Sequence, residues 1–367
     1  MPLPHLVVDI SAHGFGHLAQ TSAVLAALAQ GWAPLRLTLR CAHPRDVLAR
    51  FVGQPFERAE PVPEMGMAMT DPNRVDLDTT RRFYLDLHVD WAGQVAAQAD
   101  RLTALQPDLL LCNVSDLSLA AAAAAGVPAI ACCSLNWHDI LAAYVGEEAA
   151  FRPVLARMLA AYRHARPFLR FTPGLPMELL PDAVPMGPIA RLGRNRREEV
   201  ARALGLPAGT RLLMASFGGI QGPPLLPALP RIEDAVWLVD DLRYRTEGRA
   251  DIGAVGEVGV PFIDLVASAD LVLTKPGYGT FADTICNGTR LLHFGRPEWP
   301  ETAVFADWAG RHGVAAQLPP GAEHNGPALA RAVAWLLDRP RHPYPPAATG
   351  GREAAAVVAH ALGLPAL

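Results

Sequence analysis

One stretch late in the chain decides the fold class: Thr274-Lys275-Pro276-Gly277-Tyr278-Gly279-Thr280-Phe281-Ala282-Asp283. The apolar run 269–273 before it is typical of a short buried strand, and residues 281–287 after it indicate a helix. The order is therefore strand, glycine turn, helix. Gly277 and Gly279 let the backbone approach a ligand closely. Because a helix start offers N–H groups and a partial positive charge, this order predicts a phosphate or diphosphate site.

Three side chains of the same stretch are candidates for that site. Thr280 is predicted at the helix start, and Asp283 follows it at the spacing of a capping box. Helix capping alone would also explain both residues. Lys275 is the only lysine in the chain, all other basic residues being arginine. Its place beside the glycine turn suggests that it neutralises a diphosphate or covers the helix end.

A similar unit opens the chain. Residues 5–12 are predicted as a strand, His13-Gly14-Phe15-Gly16-His17 as a turn, and residues 18–30 as a helix. A histidine at the mouth of a parallel sheet, beside a glycine turn, suits a general base near neutral pH. His17 is the first candidate and His13 the second. The alternative is that each histidine only bonds a loop carbonyl.

The first glycine turn also fits a loose dinucleotide fingerprint through Gly14 and Gly16. The next predicted strand, 35–41, ends without the acidic residue that holds the ribose of NAD. Arg40 could instead bind a 2′-phosphate, which leaves a weak case for NADP.

Asp116 follows the predicted strand 108–113 and precedes an alanine-rich helix. Ligands of doubly wound sheets gather at such carboxyl ends of strands. Asp116 could therefore orient and polarise His17, as a carboxylate does for a catalytic imidazole. It could equally cap the helix, and the two roles are compatible.

Asn136, Trp137 and His138 follow the next predicted strand, 129–134, at the same edge of the sheet. They are candidates for lining an acceptor pocket, in which a sugar ring could stack on Trp137. Simple packing of Trp137 in the core is the alternative.

The length of 367 residues favours two domains, each with its own core. Residues 1–185 are predicted as the first domain, 186–350 as the second, and 351–367 as a helix that could pack back on the first. The proline-rich segment 173–188 is interpreted as the linker. Residues 80–105 are interpreted as one long amphipathic helix.

The composition excludes several classes of protein. Hydrophobic residues make up 51% and charged residues 19%, which indicates a globular chain, and the net charge of -4 argues against nucleic-acid binding. The longest apolar run, 117–133, is broken by Gly126-Val127-Pro128, so no transmembrane segment is expected. The five cysteines lack metal-ligand spacing and are odd in number, which favours buried thiols in a reducing cytoplasm. No signal peptide and no metal site are expected.

Together these motifs resemble the GT-B glycosyltransferases, which are α/β proteins of two Rossmann-like doubly wound domains facing a cleft. The resemblance is stronger to the glycosyltransferase-like half of plant L-arabinokinases than to the MurG-like transferases. It covers roughly residues 5–310. It rests on five motifs, namely His13–His17, Ser115-Asp116, Asn136–Asp139, Phe217-Gly218-Gly219 and Lys275–Asp283.

The resemblance implies roles for residues of both glycine turns. His17 matches the family's histidine that faces the donor sugar and often acts as the general base. The turns that hold the diphosphate in the second domain match Gly218, Gly219, Gly279 and Thr280.

The resemblance also implies how the rest of the donor is bound. Asp283 matches the carboxylate that binds the ribose hydroxyls, where glutamate is usual. The backbone of Phe262 matches the group that pairs with the base. Glu298 and Glu301 match the pair that binds the sugar. Lys275 departs from the serine or arginine of MurG-like chains.

The expected function is the transfer of a sugar from a nucleoside diphosphate sugar to an acceptor hydroxyl, without a metal and with inversion. The donor is expected to be UDP-linked and is a substrate, so no cofactor is implied. The acceptor is unidentified, and a cytoplasmic enzyme is expected. Two alternatives stay open, namely a nucleotide-sugar hydrolase or epimerase on the same fold, and a non-catalytic nucleotide-sugar-binding module.

Overall fold

The structure is a computed structural model that describes residues 2–71, 74–217, 226–245, 248–319 and 321–367. The chain divides into two compact units. The first consists of Met1–Ile189 and Thr349–Leu367, and the second of Ala190–Ala348. The boundary predicted from sequence, at 185/186, lies four residues earlier.

The described strands of the first unit form one parallel sheet and a separate antiparallel pair. Their bounds are β1 (His5–Ile10), β2 (Arg36–Arg40), β3 (Glu57–Ala59), β4 (Met69–Asp71), β5 (Arg74–Val75), β6 (Leu109–Asn113), β7 (Ala129–Cys133), β8 (Phe168–Thr172) and β9 (Val184–Pro188). The order in the sheet is β3-β2-β1-β6-β7-β8-β9, and β4 pairs with β5. Strand β1 is buried along its whole length, as expected of a strand covered on both faces.

The helices of the first unit connect these strands. Their bounds are α1 (Phe15–Gly31), α2 (Arg45–Val52), α3 (Leu77–Val89), α4 (Trp91–Leu105), α5 (Asp116–Ala125), α6 (Trp137–Val145) and α7 (Arg152–Tyr162). The single helix predicted over 80–105 is wrong, because Asp90 divides it. The Asp90 carboxylate accepts a hydrogen bond from the N–H of Gly93 at 3.1 Å and so caps a new helix.

The proline-rich segment 173–188 is not simply a linker. Its last part is β9, which pairs with β8 at the edge of the sheet. Proline is tolerated there because an edge strand needs hydrogen bonds on one side only. The high proline content of the segment made this strand unrecognisable from the sequence.

The second unit repeats the arrangement. Its strands are β10 (Arg211–Ala215), β11 (Ala235–Val239), β12 (Ile252–Ala254), β13 (Leu271–Thr274), β14 (Arg290–His293) and β15 (Ala315–Gln317), and its helices are α8 (Arg197–Leu204), α9 (Phe262–Ser268), α10 (Tyr278–Cys286), α11 (Glu301–His312) and α12 (Gly326–Leu337). The described strands are parallel in the order β12-β11-β10-β13-β14-β15. Apolar clusters cover both faces of the sheet. The predicted doubly wound α/β fold is confirmed.

The last helix, α13 (Gly350–Ala361), belongs to the first unit and packs on α1 and β9. Its glycines allow this, because a Cβ on Gly351 would lie 3.1 Å from the carbonyl oxygen of Ala23. The Glu353 carboxylate accepts a hydrogen bond from the N–H of Gly187 at 2.6 Å. Among the described residues, no helix combines the length and the apolar character needed to span a bilayer.

Each sheet has one point at which the strand order reverses. In the first unit this point lies between β1 and β6, and in the second between β10 and β13. Ligands of doubly wound sheets bind outside the carboxyl ends of such neighbouring strands. The two glycine turns that the sequence singles out, before α1 and before α10, lie at these points.

Arg40, which the sequence offered as a ligand of a 2′-phosphate, instead forms a buried ion pair. Its Nε and Nη2 atoms both donate to the Asp9 carboxylate at 2.5 Å, and the two side chains are 1% and 4% exposed. The partners lie side by side on β2 and β1. This geometry removes the basis for NADP binding at Arg40.

We expect Arg40→Ala to lower the free energy of unfolding by about 3–5 kcal/mol, because it leaves Asp9 buried without its charge partner. Arg36→Ala is the matched control on the same strand, where an exposed pair with Glu57 is lost. Urea unfolding of both variants is the measurement. Equal losses of stability would contradict the assigned importance of the buried pair.

Candidate functional site

His17 lies in the first turn of a helix rather than in the turn before it. Helix α1 begins at Phe15, three residues earlier than predicted, and Gly14 is its N-cap. Gly14 has φ 73° and ψ -173°, a conformation that is essentially restricted to glycine. This glycine therefore determines where the helix starts. The start at Phe15 in turn places the His17 side chain next to the end of β6.

The His17 ring is held in one tautomer by Asn113, the last residue of β6. Its Nδ1 atom lies 2.8 Å from Asn113 Oδ1, and Asn113 Nδ2 donates to the carbonyl oxygen of His17 at 3.4 Å. Because a carbonyl oxygen only accepts, Nδ2 must face it and Oδ1 must face the ring. Nδ1 therefore carries the hydrogen, and Nε2 is a proton acceptor.

The environment keeps this imidazole neutral. Burial and, to a smaller extent, the neighbouring His13 lower the pKa of His17 to about 3, while the hydrogen bond to Asn113 acts in the opposite direction. The side chain is 6% exposed. Its Nδ1 atom is also 3.6 Å from the Cys133 thiol.

Asp116 does not occupy the place beside His17 that the sequence suggested. Asn113 contacts Nδ1 instead, and the N-cap of α5 is Ser115, whose hydroxyl accepts from Ser118 N. Asp116 is the first residue of that helix. Burial raises the pKa of its carboxyl group to about 6, although the N–H groups of the helix start oppose the rise.

Trp137 is a core residue, so the stacking of a sugar on its ring is wrong. The side chain is fully buried, and its ring lies 5.0 Å from that of His13 and 5.4 Å from that of His17. Gly66 covers the indole so closely that a Cβ there would lie 2.6 Å from it. The packing alternative therefore holds for Trp137.

The side chains of the two residues that flank Trp137 in the sequence also bond to groups of the protein. Asn136 caps α6, since its Oδ1 accepts from Asp139 N at 2.8 Å and its Nδ2 donates to the Asp139 carboxylate at 2.9 Å. The His138 Nδ1 atom is 2.8 Å from the same carboxylate. The predicted acceptor pocket of Asn136, Trp137 and His138 is thus a structural cluster.

Glu64 is a residue that reasoning from the sequence missed. Its carboxylate accepts from the indole N–H of Trp137 at 2.8 Å and also bonds Ser11, beyond the end of β1. Burial and, to a smaller extent, the charge of Asp116 raise the pKa of Glu64 to about 7. Glu64 stands in a loop without periodicity or motif, so no sequence signal pointed to it.

In the second unit, α10 begins at Tyr278, and its N-cap is Gly277 without a side-chain hydrogen bond. Thr280 is therefore the third residue of the helix and not its cap. The first-turn N–H groups, which include those of Gly279 and Thr280, have no acceptor within an α-helix. Among the described residues, a Cβ on Gly279 would meet no atom within 4 Å, so these residues leave open space beside the turn.

Asp283 is bound by protein groups instead of being open to a ribose. Its carboxylate accepts from the N–H of Arg191 at 2.7 Å and from the guanidinium at 3.1 and 2.6 Å. The side chain is 4% exposed, and burial raises its pKa. The capping-box role and the ribose role of Asp283 are both replaced by this ion pair.

The remaining predicted donor residues are dispersed around the same unit. Phe262 starts α9, with the Arg191 guanidinium 5.9 Å from its ring. Glu298 is exposed, whereas Glu301 is buried and accepts from the Trp299 indole at 3.0 Å. Lys275 is partly buried beside the glycine turn. The predicted turn glycines Gly218 and Gly219 lie outside the described residues.

No three His, Cys, Asp or Glu side chains in the described ranges are grouped as metal ligands would be. The polar groups gathered at the end of β1 and β6 are instead a neutral imidazole, its amide partner and two carboxyl groups.

We expect ¹⁵N spectra to show His17 as the neutral tautomer with hydrogen on Nδ1 between pH 5 and 8, because burial lowers its pKa to about 3. The exposed histidines of the same protein provide the internal reference. A His17 signal that titrates in this range, or that shows hydrogen on Nε2, would contradict the assignment.

Comparison with known proteins adds an independent result. No protein-family model matches the chain. L-arabinokinase from Arabidopsis thaliana is 22% identical over 298 residues, which are 77% of this chain and 27% of that protein. The chain thus spans about a quarter of the length of that relative.

Solved structures match almost the whole chain. The glycotransferase of kitacinnamycin has a TM-score of 0.60 and 17% identity, covering 99% of this chain and 96% of that one. A UDP-glucosyltransferase from Polygonum tinctorium capable of glucosylating indoxyl has a TM-score of 0.61 and 14% identity, with coverage of 99% and 94%. A spinosyn rhamnosyltransferase complexed with thymidine diphosphate has a TM-score of 0.58 and 15% identity, with coverage of 99% and 97%. The chain therefore has the GT-B fold of these glycosyltransferases.

Proposed function

We propose that the protein transfers a sugar from a nucleoside diphosphate sugar to an acceptor hydroxyl, with His17 as the general base. The observation that carries this proposal is the tautomer of His17. Its Nδ1 atom is bound to Asn113 Oδ1, which leaves Nε2 as a proton acceptor at the strand-order reversal of a GT-B fold. A general base needs such an acceptor atom in a fixed place.

The nature of the donor is supported by similar proteins. One structure of this fold is described as a UDP-glucosyltransferase, and another holds thymidine diphosphate. A nucleoside diphosphate is therefore the leaving group in the proposal, and uridine is the first base to test.

The start of α10 would stabilise the charge that develops on the diphosphate. First-turn N–H groups and the partial positive charge of a helix start act on an anion without reorganisation. The open space beside Gly279 leaves room for phosphate oxygens, and Lys275 adds a positive charge near the turn. These groups would serve in place of a metal ion.

His17 would take the proton of the acceptor hydroxyl as that oxygen attacks the anomeric carbon. A single displacement of this kind inverts the anomeric configuration. Because burial lowers the pKa of His17, the imidazolium formed in the transition state is stabilised poorly. Asn113 orients the ring but brings no negative charge to offset that cost.

One observation favours a second candidate function, a nucleotide-sugar-binding module without catalysis. The partner of His17 is a neutral amide, and in catalytic dyads a carboxylate stabilises the imidazolium. Binding of a donor without turnover in the presence of any acceptor would favour this function.

We expect His17→Ala to reduce turnover by about 100-fold or more and to leave donor binding nearly unchanged, because the base acts only in the chemical step. Turnover and calorimetric donor binding are measured together, with the exposed His164→Ala as control. A parallel loss of binding and turnover would argue against a base at this position.

Asn113→Asp should raise the pKa of His17, because a carboxylate would then face Nδ1 at the present 2.8 Å. The acidic limb of the pH–rate profile should move to higher pH, since His17 must be unprotonated to act. We also expect turnover at pH 8 to rise by roughly tenfold, as the imidazolium is stabilised. An unmoved limb would show that His17 does not carry the proton.

Lys275→Ala should weaken the binding of a nucleoside diphosphate by roughly tenfold, and the loss should shrink at high salt because the interaction is electrostatic. Lys275→Arg keeps the charge and is the matched control. Isothermal titration with UDP and dTDP is the measurement, and equal affinities of wild type and Lys275→Ala would exclude Lys275 from the site.

A further inference from the structure

Asp116 is a buried carboxyl group with one oxygen that the described residues leave without a hydrogen bond. The residue is 4% exposed, and its Oδ2 atom has no hydrogen-bond partner among the described residues. Buried polar atoms are normally bonded, so an exception indicates a ligand or another role. Asp283, by contrast, is equally buried but bound by Arg191.

Glu64 brings a second carboxyl group to the same place. It lies close enough to Asp116 for the charge of one to raise the pKa of the other. The charges of both carboxylates also raise the pKa of the phenol groups of Tyr84 and Tyr162. In the described part of the chain, neither forms an ion pair with arginine or lysine. The two carboxyl groups therefore lie close together without an arginine or lysine partner, and the histidine whose charge acts on Asp116 is His138.

These carboxyl groups lie at the same edge of the sheet as the candidate base, after the ends of β1 and β6. Asp116 is three residues from Asn113, which holds the His17 ring. Glu64 bonds the indole of Trp137, whose ring is 5.4 Å from that of His17. A molecule that presents a hydroxyl group to His17 would thus have its neighbouring groups near Glu64 and Asp116.

We infer that the acceptor is a polar molecule with several O–H or N–H donors, such as a saccharide or an amino sugar, and that Asp116 and Glu64 bind these donors. The inference rests on the proposed function and names its acceptor class. Carboxylate oxygens only accept hydrogen bonds, so a hydroxyl or ammonium group satisfies them. An apolar ring system would leave the Oδ2 atom of Asp116 buried and unpaired, which disfavours its binding.

Thermal stability tests the assignment without any ligand. If Asp116 is kept for a ligand, Asp116→Asn should raise the Tm at pH 8 by on the order of 2–4 °C, because an unsatisfied charge is removed. The raised pKa of Asp116 means that its ionised form opposes folding, so the gain should fade as pH falls below about 6. Asp283→Asn is the control and should lower the Tm, since Arg191 loses its partner. A lower Tm for Asp116→Asn at pH 8 would show that Asp116 serves the fold and would overturn the inference.

Binding to the full chain tests the acceptor class. The probes are methyl glycosides and disaccharides, 2-amino sugars, and the apolar 1,2-dichlorobenzene, which has no O–H or N–H group. We expect a polar probe to bind, with a loss of about tenfold or more in Asp116→Asn and Glu64→Gln, the cost of losing a hydrogen bond to a charged group. Glu60→Gln, which removes a surface carboxylate of the same loop, should bind as wild type does.

The pH dependence of binding distinguishes an amino sugar from a neutral glycoside as the acceptor. Binding of an amino sugar should weaken as the pH falls through about 7 and 6, where first Glu64 and then Asp116 takes up a proton, whereas binding of a neutral glycoside should change less. Binding of 1,2-dichlorobenzene alone, no polar probe bound at millimolar concentration, or equal affinities in all variants would overturn the inference. Titration with UDP in the same samples keeps the outcomes distinct, because absent UDP and dTDP binding counts against the proposed function itself.

Discussion

The parallel pairing of β1 with β6 is the contact on which the candidate base depends. Ile10 and Asn113 face each other in this register, and the N–H of Ser11 donates to the carbonyl oxygen of Asn113 at 2.6 Å. The pairing brings the Asn113 amide to His17, 96 residues away in the chain. A shift of one residue would turn the Asn113 side chain to the other face of the sheet, so the register determines the tautomer of the imidazole.

Three buried aspartates show how the chain separates stability from function. Asp9 and Asp283 each receive a guanidinium group, from Arg40 and Arg191, and so compensate their own burial. Asp116 is as buried as they are but has an oxygen without a hydrogen bond among the described residues. A chain that gives Asp9 and Asp283 an arginine partner and leaves an oxygen of Asp116 open retains Asp116 at a cost in stability, as binding sites do.

Both glycine turns begin their helices earlier than the sequence predicts, and for one reason. Gly14 and Gly277 are N-caps without a side chain, so no serine, threonine or aspartate marks the start. Apolar periodicity, which then becomes the guide, sets in only after the first turn. The missed residues have a similar origin, since the roles of Asn113 and Glu64 come from contacts distant in sequence, and no local pattern accompanies them.

The sequence by itself determined the alternation of strands and helices, the two glycine turns, and the strand ends at which polar residues gather, because these depend on local periodicity and backbone freedom. It also made His17 the candidate general base, which stays a prediction. Only the tertiary structure decided which side chains are engaged within the protein. It assigned Asn113 rather than Asp116 to His17, placed Trp137 in the core, bound Asp283 to Arg191 and brought Glu64 beside the site. These assignments require the register of parallel strands and the packing of loops on them, and both are set by contacts between residues far apart in the chain.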